Sequence, residues 1–430
     1  MPVELSKLPP EAIPDAKPPR LIVWLLLAVV TIGLGAALVI WLWPKGKSTH
    51  VWQFWTWLVV PVFVFALTFI ARWHLYEQAL AQVEAHNRQR KGVADHNTGF
   101  AQRPLALLAH AYLTAMGERD VGKRILQGDS LLCYQPVRGI GASVSHTAIV
   151  SQRGDDRETE KRRTRRNALP LTDDDLLDLF GRLIGGMQAT LGTLPPQLVL
   201  PVRLIVAGNE YPLDVARQWE TAWYAFGLGQ FVFSDSAAGA GMMALDAWLD
   251  EADRGKRDRV ELRVNVQFRD DPPDNGAEAA TAMLIAWPDI ADRLGLPVQA
   301  WLHRPVCALA ERSGLALDTA LTWGTVTSAE DTVVWSSGLA VDGRECLARA
   351  FKQSPSKSTE SVGDSDGVAA ANIDMSLGDA GHAAGWLACA LAAENFTGTE
   401  RAQLIATQEP SGVVYAVVRK PSRQQPENPQ

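Results

Sequence analysis

The chain predicts an α/β protein in which two apolar helices near the N-terminus precede one layered α/β/α domain. Three observations carry this. Two uncharged apolar runs, residues 21–43 and 51–71, stand almost back to back. Beyond them, aliphatic strand-like runs alternate with helical patterns, the arrangement that builds a sheet covered by helices. The remaining chain, roughly 350 residues, is long enough for one large domain or two tightly packed halves.

Residues 21–43 read LIVWLLLAVVTIGLGAALVIWLW. As a helix this run spans roughly 34 Å, enough for a bilayer's hydrocarbon core. The second run, VWQFWTWLVVPVFVFALTFIA, contains Pro61, which membrane helices tolerate. Trp24, Trp41, Trp43, Trp52, Trp55, Trp57 and Trp73 gather in and around the runs, many near their ends, where indole rings favour the headgroup zone. A cleaved signal peptide would have a shorter apolar region and would leave the second run unexplained. Lys7, Lys17 and Arg20 precede the first run, and Arg72, Arg88, Arg90 and Lys91 follow the second. Only Lys45 and Lys47 lie between. This bias places both ends, and the domain, in the cytoplasm.

The expected organisation is a tail (1–20), a transmembrane hairpin (21–72), a helical stalk (73–103), the α/β domain (104–420) and a disordered end (421–430). Residues 104–117, PLALLAHAYLTAMG, read as an apolar helix. Strand-like runs follow within 131–149. Residues 153–167 hold seven basic and four acidic side chains and no apolar one. Such a stretch is first a solvated loop. Its sharper reading is electrostatic contact with a partner or anionic lipid through Arg157, Lys161, Arg162, Arg163, Arg165 and Arg166. Thr172 caps a helix whose first turn carries three aspartates, suited to the positive helix end. Residues 198–207 predict a buried strand and 213–226 a helix. The polar stretch 352–367 cannot bury a core and predicts a loop.

Composition narrows the function. The net charge of -7 and pI near 5.7 argue against a nucleic-acid partner. Cys133, Cys307, Cys346 and Cys389 form no CxxC pair, so neither a zinc knuckle nor a disulfide framework is indicated. There is no GxxxxGK[ST] loop and no HExxH helix, and no cofactor or metal is expected. The glycines at 378, 381 and 385 fit helix packing as well as nucleotide binding. Trp219, Trp223 and Trp248, at helical positions, read as core.

Residues 233–267 run strand, small-residue turn, long amphipathic helix, charged turn, strand. Residues 276–306 give a small-residue strand, and 331–350 lead, past the polar loop, to SLGDAGHAAGWLACALA at 376–392. In this order they resemble the thiolase-like fold used by β-ketoacyl synthases, over about residues 195–420. The resemblance implies a nucleophile elbow near 235–238, where a helix N-terminus would stabilise a thiolate. It also implies two histidines to activate the nucleophile or stabilise an oxyanion. The chemistry does not carry over. The elbow holds Ser236, Ala237 and Ala238; the first histidine position holds Ser336 or Ser337; the second holds Asp379, with His382 three residues on. A residual triad would combine Ser236 with His382 and with Asp235 or Asp379. The SDSAAGAG context is not the GxSxG of hydrolases, and Ser234, Asp235 and Ser236 read more simply as helix caps.

The membrane hairpin, the degenerate thiolase-like body and the charged loop together resemble a cytoplasmic adaptor family that helps type VI secretion machines load lipase effectors. That resemblance implies a non-catalytic protein of the bacterial inner membrane, multi-pass, whose cytoplasmic domain binds a secreted effector. The alternatives are an acyl- or lipid-processing enzyme on the same scaffold and a structural scaffold of an inner-membrane complex. Thiolase-like domains commonly pair through their sheets, so a homodimer is expected.

Overall fold

The computed structural model describes residues 8–14, 17–44, 48–49, 51–137, 143–149, 171–208, 214–234, 241–251, 259–327, 331–353 and 370–421. The charged segment 153–167, the turn holding Asp235 and Ser236, most of the polar loop and the end from residue 422 lie outside these. The chain divides into two units, Met1–Phe100 and Ala101–Gln430.

In the first unit, α1 (Leu21–Leu42) and α2 (Trp52–Ala101) are both long and apolar enough to cross a membrane. No residue of α1 is buried. The two helices run antiparallel: the Trp24 ring meets Phe69 edge-on at 5.3 Å, and Trp43 meets Phe54 at 5.0 Å. Gly35 lies against the Pro61 ring between these contacts. The polar stretch after residue 72 continues the same helix without a break, as its pattern predicts.

The second unit is built on one sheet whose strands, numbered in chain order, fall into two sets of five. The first set is β1 (Leu105–Thr114), β4 (Leu200–Ala207), β5 (Phe231–Phe233), β6 (Val260–Gln267) and β8 (Ala279–Ala286). The second is β9 (Ala300–Leu302), β11 (Thr332–Ser337), β12 (Ala370–Asn372), β13 (Ala402–Glu409) and β14 (Gly412–Arg419). From each outer edge inward, both sets run third, second, fourth, fifth, first. In both, the second strand is parallel to the third and fourth, and the fifth is antiparallel to the fourth. The two first strands, β1 and β9, pair antiparallel and join the halves. The domain is therefore an internal duplication. A short β10 (Val306–Ala308) adds to β14, and β2 (Cys133–Pro136), β3 (Ser143–Thr147) and β7 (Gly276–Ala277) form a small second sheet.

The segment 104–117 is a correction: it forms β1, one of the two central strands, not a helix. It pairs with β8 from Ala106↔Ala286 to Thr114↔Ala279. A strand covered on both faces shows no period of two, so its apolar run cannot be told from a buried helix by pattern alone.

The helices are α3 (Val121–Leu126), α4 (Asp173–Leu191), α5 (Val215–Ala225), α6 (Met243–Glu251), α7 (Pro288–Leu294), α8 (Ser313–Trp323), α9 (Val341–Gln353), α10 (Ile373–Ser376) and α11 (Ala384–Asn395). α4 begins at Thr172 as expected, with a reciprocal capping box to Asp175. It packs on α5, with Phe180 edge-on to Trp219 at 5.1 Å. Trp219, Trp223 and Trp248 are all core residues.

One face of the first half-sheet is polar yet buried: Arg203, Glu261 and Arg263 are all shielded from solvent. Arg263 lies 2.8 Å from Glu261, and its guanidinium sits over the rings of Trp248 on α6 and Trp386 on α11, at 5.7 and 5.4 Å. Burial pushes its pKa down to about 10, opposed by Glu261. The charge stays on because the carboxylate and two aromatic faces replace its lost water.

Candidate functional site

The third strand of each half leads to an inner helix, β5 to α6 and β12 through α10 to α11. Near the start of α6 opens a cleft of about 850 Å³. It is lined by the ends of β4 and β6 (Gly208, Gln267), by the loop carrying Asp379 and His382, and by the β13–β14 hairpin tip at Glu409.

Glu409 dominates this cleft. Its Oε1 accepts the backbone N–H of Met242 at 2.5 Å, and the carboxylate also accepts from Met243. These are amides at the N-terminus of α6, the end that attracts negative charge. Gly241 makes the approach possible, since a Cβ there would lie 2.4 Å from the carboxylate atoms. Burial pushes the Glu409 pKa up; the two amides and the nearby His382 oppose that rise.

Asp379, expected from the sequence at the second histidine position, has a structural task. Its N–H donates to Asn275 O and its carbonyl accepts from Ala277 N, both at 2.8 Å, stitching the loop to β7. Its Oδ1 accepts from Gly381 N at 2.9 Å, and Oδ2 lies 3.6 Å from Arg269 Nη2. The preceding Gly378 has φ +100°, and a Cβ there would meet Asn275 O at 2.7 Å, so only glycine fits. His382 is held by its main chain, its N–H donating to Gln267 Oε1 at 3.1 Å, while its side chain is exposed. Among the described residues no hydrogen bond reaches its ring.

Ser336 and Ser337, expected from the sequence at the first histidine position, are also hydrogen-bonded. Ser337 Oγ donates to Asp374 Oδ1 at 2.6 Å, and Gly338 N donates to Oδ2 at 2.7 Å. Ser336 Oγ reaches Ala371 O at 3.4 Å. Burial raises the Asp374 pKa, Ser337 and Gly338 lower it, and Asp379 adds a further push upward.

The structure thus brings Asp379 and His382 to one cleft without bonding them to each other. Asp235 and Ser236 lie outside the described residues, as do Arg157, Lys161, Arg162, Arg163, Arg165 and Arg166. Sequence reasoning missed Glu409 and Asp374. The only signal for Glu409 was an acidic residue ahead of Pro410 and Ser411 between two apolar runs, which reads as an ordinary turn. Among the described residues, no cluster of three His, Cys, Asp or Glu side chains could hold a metal ion.

No family model and no curated protein sequence matches the chain. Solved structures do. One is the ketosynthase from module 6 of the bacillaene synthase of Bacillus subtilis 168, at 11% identity and TM-score 0.50, covering 75% of this chain and 71% of that one. Another is an oxazolomycin ketosynthase domain of Streptomyces albus JA3453, also at 11% identity and TM-score 0.50, covering 75% and 76%. At such identity the likeness speaks for the fold alone. The α/β domain has the mixed, thiolase-like fold of the ketosynthases.

Proposed function

We propose that this chain is a membrane-anchored, non-catalytic adaptor whose thiolase-like domain binds a partner protein. The observation that carries the reading is Glu409: the amides at the N-terminus of the elbow helix, which in a working thiolase-like enzyme would face a reacting thiolate, already hold the chain's own carboxylate. The residues at the other two positions support it, since Ser337 and Asp379 are spent on structural hydrogen bonds. Two apolar helices and the basic residues flanking them support an anchor in a bacterial inner membrane with the domain in the cytoplasm. The partner we propose is a secreted effector, of the kind that type VI lipase-effector adaptors load.

Affinity purification of the detergent-solubilised protein from its native cell, with mass spectrometry, tests this. Recovery of a secreted toxin or secretion-spike component supports the adaptor. A purified protein that brings only a bound acyl chain or lipid overturns it. Ser236→Ala and His382→Ala leave partner capture intact on this reading; loss of capture in either folded variant counts against it.

The runner-up is acyl or lipid chemistry in the same domain. The open cleft favours it, with the exposed His382 at its wall. It requires a Ser236 hydroxyl within hydrogen-bond reach of that ring, and acyl-enzyme trapping on Ser236 would establish it.

A further inference from the structure

Along the stalk part of α2, Tyr76, Ala79, Leu80, Val83, Asn87 and Arg90 are partly buried, and all but Ala79 fall alternately four and three residues apart. This is the spacing of a single coiled-coil seam. Its polar members are engaged with the segment ahead of α1. Asn87 clasps the main chain of Ala12 from both sides: Oδ1 accepts the Ala12 N–H at 2.9 Å, and Nδ2 donates to Ala12 O at 3.0 Å. Arg90 Nε donates to Pro9 O at 2.6 Å, and Nη1 pairs with Glu11 Oε1 at 3.1 Å. Leu8 and Ala12 are partly buried while Ile13 is 81% exposed, so one side of the segment faces the helix.

We propose that this proline-rich tail is an intramolecular strap that occupies the stalk seam and keeps it from pairing between copies of the chain. Pro9, Pro10, Pro14, Pro18 and Pro19 favour an extended polyproline path with little chain entropy left to lose. The lengths agree. From Arg20 back to Ala12 such a path covers roughly 25 Å. From Arg72 to Asn87 the helix covers roughly 22 Å. The tail therefore reaches Asn87 from the start of α1, which lies beside Phe69 through Trp24. The apolar members of the seam, Tyr76, Leu80 and Val83, are those that would otherwise pair with a second stalk. The inference rests on these contacts alone and stands apart from the adaptor reading.

The test uses the full-length protein in its membrane, with Cys133, Cys307 and Cys346 replaced by serine and with Ala12→Cys and Val83→Cys introduced. A short bis-maleimide is added, and the products are digested and weighed. The strap predicts a product of one-chain mass joining tail and stalk peptides, weakened several-fold by Asn87→Ala with Arg90→Ala. It also predicts that Val83→Cys alone cross-links two chains only when residues 8–14 are deleted. A two-chain product with the tail intact, or no tail–stalk product at all, overturns it. An unchanged unfolding transition shows that the α/β domain of the clasp variants remains folded, and unchanged helical circular dichroism shows the same of the stalk.

Discussion

The two halves of the α/β domain share one strand order but fill it with different chemistry. In the second half, the inner helix α11 is buried at every residue from Ala384 to Ala393, an alanine-rich rod with no charged side chain in that stretch. In the first half, the inner helix α6 starts beneath the Glu409 carboxylate and carries Asp246 and Asp250, both bonded to the buried Arg304 at 2.5 and 2.7 Å. Glu409 and Arg304 both come from the second half. The duplication therefore constrains the path of the backbone, not the forces. α11 is held mainly by close packing, with the Arg263 guanidinium of the first half over its Trp386 ring, and α6 is held by charges reaching across from the opposite half.

The sharpest way to break this contrast is Arg304→Met. It leaves Asp246 and Asp250 without their cation, and a loss of about 3–5 kcal/mol is expected in thermal unfolding. Burial already raises the Asp246 pKa, with Arg304 opposing. A carboxyl whose folded pKa is raised contributes stability in acid that disappears as pH rises. The deficit of the variant should therefore grow from acid to neutral pH.

A paired substitution probes packing. Ala388 in α11 is fully buried, and Ala388→Leu should lower stability by about 1–3 kcal/mol through overpacking. Ala247 on α6 is exposed, and Ala247→Leu should stay within about 0.5 kcal/mol. Equal effects would erase the distinction between the helices.

Glu409→Gln isolates the charge on the elbow helix. With the Glu409 pKa raised by burial, the wild type is favoured in acid and loses that advantage as pH climbs through the raised value. The glutamine variant lacks this slope. Its stability relative to wild type should improve steadily from acid to neutral pH in parallel unfolding curves; a flat difference would remove Glu409 from the account.

The smallest expected change in stability concerns the outer edges. Among the described residues β5 pairs on one side only, and Val232 is exposed, with Tyr224 also exposed nearby. A homodimer that pairs through its sheets is expected from the sequence; if β5 is the pairing edge, Val232→Lys should halve the mass seen by light scattering while shifting unfolding by no more than about 0.5 kcal/mol. An unchanged mass would count against pairing at β5.

Much of this was legible in the sequence, for local reasons. The apolar runs show their helices by length and lack of charge. Thr172 with Asp175 shows a helix start because the cap is made within one turn. β1 was misread because burial on both faces erases its period. The repeated strand order was invisible because it exists only in pairings such as Leu105↔Leu302, between residues far apart in the chain. Of the site, His382 and Asp379 could be located by their glycine-rich surroundings. Glu409 could not, because its partners at Met242 and Met243 are backbone amides and leave no trace in residue identity.

The position of β1 also has a consequence for biosynthesis. It is the first strand of the domain to be made, directly after the two apolar helices, yet its earliest partner in β8 follows roughly 165 residues later. At ribosomal speeds of about 5–20 residues per second, that is a wait of roughly ten to thirty seconds. Through that interval an apolar strand waits with two open edges. Whatever shields it then, chaperone or ribosome surface, acts before any of the structure that will later bury it exists.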